Sequence, residues 1–161
     1  LTNYIYPIPE SYLEAMENLV KMSDFSLWKS LLIIALLPGI CEEILFRGFL
    51  INGFTKRGFW SAVIISAILF AIIHLDPFRF LPVTVLGIWL GYLALKTNSL
   101  FVPILAHTAN NAIAVLLSRG HLTFLEKYLI DGNIPFWTAV PAIIIVWALY
   151  RWSEKINSNE I

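Results

Sequence analysis

Apolar residues gather into five long runs, at about 27–51, 59–74, 80–95, 100–117 and 134–152. Short polar or proline-containing breaks separate them, such as Asp76-Pro77 and Lys96-Thr97-Asn98-Ser99. Within each run the apolar residues are nearly continuous, so the period of a half-buried surface helix is absent. Several runs lie near the lower length for crossing a bilayer as a helix, roughly 17 residues, and the spans are expected to sit in a thinned region or to tilt. The expected fold is all-α: a polytopic transmembrane bundle of about five spans with interfacial helices.

Other local signals refine this picture. Residues 1–9 read as an extended lead-in rich in Tyr and Pro. Ser11-Tyr12-Leu13-Glu14 has the form of a capping box. Tyr12, Leu13, Met16, Leu19 and Val20 recur at helical spacing opposite Glu10, Glu14, Glu17 and Lys21, which predicts a short amphipathic helix at the membrane surface. Pro38-Gly39 interrupts the first run and predicts a kink. Gly87 and Gly91 share a face of the third and permit close helix approach. Pro103 falls in the first turn of the fourth, where its missing N–H is tolerated. Residues 118–133 predict a second interfacial helix. The chain thus divides into a lead-in with an amphipathic helix (1–26), a membrane core (27–152) and a polar tail (153–161).

Composition agrees with this reading. Of 161 residues, 58% are hydrophobic and 14% charged, against roughly 45–50% and 25% in soluble domains. The formal net charge of +0 gives no support to a nucleic-acid surface. Cys41 is the single cysteine, so an internal disulfide and a multi-cysteine metal site are both excluded. No secretory signal opens the chain, and a start at Leu1 rather than Met is expected for a piece of a longer protein. Basic residues distribute over alternate loops too evenly to set an orientation.

Against this apolar background the ionisable residues stand out. Glu42, Glu43 and Arg47 fall within the first run, where each charge at mid-bilayer costs roughly 2.5–3.5 kcal/mol on insertion scales. His74 closes the second run, and His107 and Asn111 lie one turn apart within the fourth. Glu43 and Arg47 have the favourable i,i+4 order for an ion pair, which assigns them structural support. Glu42 points about 100° away and has no cation one turn along its own helix, which suits it to general base or acid chemistry. A second structural carboxylate is the plainer alternative. His107 and Asn111 are placed to donate to an oxyanion, or more simply to hold helices together.

Two arrangements of these groups remain open. In the first, which needs no metal, Glu42 and His74 polarise one water while His107 and Asn111 receive the oxyanion. In the second, Glu42, His74 and His107 ligate zinc or another divalent ion and leave a position for water. No His-Glu-x-x-His helix supports the second. Cys41 reads as an ordinary apolar-span cysteine, and His121 as a surface residue in a polar connection.

Three motifs in order, Glu42-Glu43-x-x-x-Arg47, Phe70-x-x-x-His74 and His107-x-x-x-Asn111, resemble the signature of the CaaX protease and bacteriocin-processing family. This family of intramembrane proteases is also known as the abortive-infection family and includes the Ras-converting CaaX endopeptidases. The approach to the third motif is similar too, through Gly91-Tyr92, Thr97-Asn98-Ser99-Leu100 and Pro103-Ile104-Leu105-Ala106-His107. The likeness extends over about 31–117.

It implies a helical membrane core with Glu42 as the base that activates water, His74 as its partner, and His107 with Asn111 as the oxyanion or ligand pair. Glu43 and Arg47 carry over as the supporting ion pair. The implied activity is an intramembrane endopeptidase acting on a membrane-associated peptide or protein, with the lipid bilayer as surroundings and no nucleic-acid partner. Prenylated CaaX ends, bacteriocin leaders and quorum peptides all fit as substrates. A non-enzymatic immunity or transporter-associated membrane subunit that retains the motifs is the rival reading. Because the polar residues form one cluster and no path across the membrane, the protease is favoured.

Overall fold

A computed structural model describes residues 9–12, 14–15 and 25–122 of the chain. The second interfacial helix, the fifth apolar run and the polar tail lie outside the described residues from 123 onward, as does most of the amphipathic lead-in. Among the described residues every regular element is helical.

The first element, α1, is a continuous right-handed rod whose winding changes along its length. It runs through an α-helical turn (Leu27–Ser30), a π-helical stretch (Leu31–Leu36), an α-helical segment (Leu37–Glu43), a second π-helical stretch (Ile44–Leu50) and a 3₁₀ end (Ile51–Arg57). After it come α2 (Phe59–Ile73), α3 (Phe80–Thr97) and α4 (Phe101–Ser118). The four helices agree closely with the first four apolar runs. α1 continues past Ile51 to Arg57, and His74 caps the C-terminus of α2.

Pro38 stands in the second position of its α-helical segment but inside the continuous α1 rod, where it removes one backbone donor. The backbone stays helical on both sides of it. The expected interruption therefore takes the form of the wider π winding just upstream.

α2 and α3 pack along their lengths as an antiparallel pair. The N-terminal half of α1 lies against α4 and its C-terminal end against α2, so α1 is the central element. Gly87 allows the α2–α3 approach: a Cβ there would sit 3.0 Å from Ala67 Cα and 3.3 Å from the Phe70 ring. Gly91 is likewise buried, against Ile51 and Val63. Phe46, Phe70, Ala71 and Val83 form one core cluster, and Ile51, Ala62 and Val63 another.

Polarity is inverted relative to a water-soluble domain. Glu43, Arg47, Ser66 and His107 are buried, whereas Trp28, Phe49, Trp60, Leu81 and Phe101 are exposed. An apolar exterior around a paired polar interior suits a lipid solvent. α3 and α4, at 18 residues each, are long and apolar enough to cross a membrane, whereas α2 has 15.

Candidate active site

The polar residues of α1 and α4 meet at mid-helix, and Glu43 is the hub. Its Oε1 accepts from Arg47 Nη1 at 2.9 Å and lies 2.8 Å from His107 Nδ1. Both side chains of the Glu43–Arg47 pair are fully buried. Such a pair relies on further hydrogen bonds away from water, and they are only partly supplied: Glu43 Oε2 and Arg47 Nε are buried without a partner among the described residues. Arg47 Nη2 donates to the Gly87 carbonyl at 3.0 Å, and the guanidinium lies 4.5 Å from the centre of the Phe70 ring. The expected i,i+4 pair is therefore present and ties α1 to α3 as well.

The Glu43 contact defines His107. A carboxylate accepts, so His107 carries its proton on Nδ1 and turns Nε2 outward. That nitrogen faces Glu42 Oε2 at 3.8 Å. At this distance the two do not share a direct hydrogen bond, yet one water can bond to both. Glu42 keeps 28% of its side chain exposed while His107 keeps 3%, so the gap between them opens on the Glu42 side. The two adjacent glutamates thus have different environments, one fully buried and one partly exposed.

His74 resembles His107 in one respect. Its Nδ1 lies 2.7 Å from the Phe70 carbonyl, which can only accept, so Nε2 is again the free nitrogen. Phe70 connects the two histidines. Its ring meets His74 edge-on at 4.8 Å and His107 at 5.7 Å between centroids. No hydrogen bond or ion pair joins His74 to Glu42, His107 or Asn111 among the described residues. Beside it, Ala71, Ile72, Leu75, Asp76, Pro77 and Phe80 line an open, mainly apolar cleft of about 400 Å³.

Asn111 is half-buried and donates from Nδ2 to the Ile34 carbonyl at 3.4 Å, while Asn110 donates to its Oδ1 at 3.2 Å. Its amide is thus engaged with α1 and not held beside His107 as a preformed oxyanion donor. Cys41 is exposed on the turn that carries Glu42. No group of three His, Cys, Asp or Glu side chains stands close enough to hold a metal ion among the described residues. The set Glu42, His74 and His107 therefore does not fit a three-ligand centre as arranged here. Both imidazoles do have the Nδ1 hydrogen bond that zinc-bound histidines usually show, and His107 donates its own to a carboxylate of another helix.

Three contributions were not read from the sequence, one of them made by a residue that the second motif already contains. Phe70 matters as the ring between both histidines, Gly87 as the carbonyl that accepts from Arg47 Nη2, and Thr108 as the contact of Gly39. A glycine within an apolar run was the available signal for two of these contacts, and only at Gly87 was close packing expected.

Comparison with known proteins bears on this geometry. Residues 24–113, more than half of the chain, match the family described as type II CAAX prenyl endopeptidase Rce1-like. The chain is also 34% identical over 79 residues to "Putative membrane peptidase YdiL" of Bacillus subtilis (strain 168). That alignment covers 48% of this chain and 32% of the relative, so the chain spans about a third of the length of the curated relative it matches. No solved structure matches.

Proposed function

The chain belongs to the Rce1-like family of type II CAAX prenyl endopeptidases, and we propose that it is a multi-pass membrane endopeptidase hydrolysing a peptide bond by water activated at Glu42. One observation carries this reading: the buried Glu43–His107 contact at 2.8 Å aims His107 Nε2 at a partly exposed carboxylate 3.8 Å away. Within an apolar bundle, that gap is a place to hold and polarise one water.

The steps follow from proton positions. Water bridges Glu42 Oε2 and His107 Nε2 and gives its proton to Glu42 as its oxygen attacks the scissile carbonyl. Glu43 fixes the imidazole in the tautomer that accepts at Nε2, and Arg47 holds the Glu43 carboxylate in place. The tetrahedral oxyanion then needs a donor. The Asn111 amide supplies it by leaving its long 3.4 Å contact with Ile34 O, a bond near the limit of useful geometry. Protonated Glu42 returns its proton to the leaving amine, and the C–N bond breaks. His74, at the edge of the apolar cleft, borders the substrate on the other side of Phe70. No step is routed through a metal, because the described donors do not gather in threes. The substrate class is an extended segment of a membrane-associated peptide or protein, with an apolar side chain beside His74.

The test is cleavage of a membrane-peptide library by the purified chain, with Glu42→Gln as control. Gln keeps the volume and removes the proton acceptor. Cleavage by the wild type that vanishes in a folded Glu42→Gln protein is the expected result. Turnover that survives this substitution removes Glu42 as the base.

A further inference from the structure

Pro38-Gly39 stands one helical turn before the two glutamates, and α4 meets α1 here at two points, Gly39 and Ile34. A Cβ built on Gly39 would overlap Thr108 Oγ1 and lie 3.1 Å from Thr108 N and 3.2 Å from its Cα. The backbones of α1 and α4 are therefore in direct contact, one residue after His107. Thr108 Oγ1 is buried there without a hydrogen-bond partner among the described residues. That is an unfavourable location for a hydroxyl. The second contact lies at Ile34, four residues before Pro38. Pro38 has no N–H to offer the Ile34 carbonyl, and Asn111 Nδ2 donates to that carbonyl instead.

We infer that Pro38-Gly39 is the positioning element that registers the His107–Asn111 turn of α4 against the Glu42–Glu43 turn of α1. The inference rests on the functional reading above and adds to it. Thr108 and Asn111 are three apart and share one face of α4, so a grip at both fixes the rotation of α4 as well as its distance. His107 lies in the same turn. Its 2.8 Å bond to Glu43 and its 3.8 Å gap to Glu42 are set by how near Gly39 allows α4 to come. A side chain at residue 39 moves α4 outward and opens that gap. The catalytic groups themselves would be unchanged, but the water would lose one of its two partners.

The full chain is tested in detergent micelles as Gly39→Ala, Thr108→Ala and the double variant. Two measurements are made: kinetics, giving kcat and KM on a cleaved peptide, and the Nδ1–H resonance of His107 in protein labelled with ¹⁵N-histidine. Gly39→Ala should lower kcat about 100-fold, the cost of misplacing reacting groups by about 1 Å, with KM little changed. The His107 resonance should move as its bond to Glu43 lengthens. Adding Thr108→Ala removes the atom that the new methyl overlaps, so kcat should return to within about tenfold of the Thr108→Ala protein, and the resonance should move back.

A Gly39→Ala protein with unchanged kcat and resonance overturns the inference. So does a folded Gly39→Ala protein whose defect Thr108→Ala relieves in neither measurement. If Gly39→Ala does not fold, Pro38→Ala decides: its new N–H competes for Ile34 O, and the Asn111 side-chain amide resonance should shift. An unmoved amide overturns the inference. The resonances need no substrate. A wild-type chain that cleaves nothing would remove the functional reading and leave the positioning claim to be settled by these signals.

Discussion

Glu42 and Glu43 are neighbours of identical chemistry, and their surroundings divide the work. Glu43 is fully buried and binds both Arg47 and His107, whereas Glu42 is partly exposed. Replacing Glu43 by Gln leaves a buried guanidinium without its counter-charge, a loss of roughly 3–5 kcal/mol for a broken buried pair. Glu43→Gln should therefore unfold at markedly lower temperature in detergent, while Glu42→Gln should melt near the wild type and lack activity. If the two melting curves come out the other way round, the roles assigned to the glutamates must be exchanged. The histidines carry a second expectation. Their free Nε2 atoms are suited to metal, yet three donors do not converge among the described residues. We expect purified protein to hold well below one zinc per chain and to keep most of its activity after exhaustive chelation. Zinc at one per chain, lost together with activity and restored with it, would make Glu42, His74 and His107 ligands.

Along the elements, winding follows the polar contacts. The two π-helical stretches of α1 flank the segment that carries Pro38, Gly39 and the glutamates, and the second includes Arg47. Such stretches are frequent where a helix must aim side chains. The connection after His74 is held in another way. Leu75 adopts a left-handed conformation (φ 50°), and Asp76 Oδ1 accepts from the backbone N–H of Phe78 and of Arg79. The Tyr12 hydroxyl donates to the other oxygen of Asp76, and its ring packs on Phe78 at 4.7 Å. Burial first, then this bond to Asp76, pushes the Tyr12 hydroxyl up to about 12. In the unfolded chain a tyrosine titrates near 10. The neutral form is favoured by folding, so the contribution is present below about pH 10 and is lost as pH rises toward 12. Tyr12→Phe should remove this part of the alkaline loss of stability, seen as a shallower fall in melting temperature above pH 10 than in the wild type. Identical slopes would mean that the contact contributes nothing.

For the molecule as a whole, the proposal of several crossings makes a topological prediction. Four consecutive helices place 58 and 99 at one end of the bundle, and 77 and 120 at the other. In a Cys41→Ala background, Gly58→Cys and Ser99→Cys should label with an impermeant thiol reagent from the same side of a sealed vesicle. Pro77→Cys and Gly120→Cys should label from the opposite side. Labelling of all four from one face would rule out alternate crossing by α2, α3 and α4.

Much of this was legible beforehand, for identifiable reasons. Helix limits came through because apolar runs and their breaks are local signals, and the boundaries of α2, α3 and α4 fall within two residues of the runs. The Glu43–Arg47 pair was readable because one helical turn brings i and i+4 together wherever the helix lies. The motif order and its family resemblance marked which polar residues to consider. What lay beyond reach were relations across helices, which depend on rotation and distance and leave no periodic trace. Spacing within one helix cannot say that His107 bonds Glu43 and not Glu42, or that Asn111 reaches Ile34. Pro38 was legible as a break in the helical pattern. That the carbonyl it leaves free would be taken by α4, and that Gly39 would admit the backbone of Thr108, required the two helices to be packed. Local chemistry chose the groups, and the close approach of α1 and α4 chose their partners.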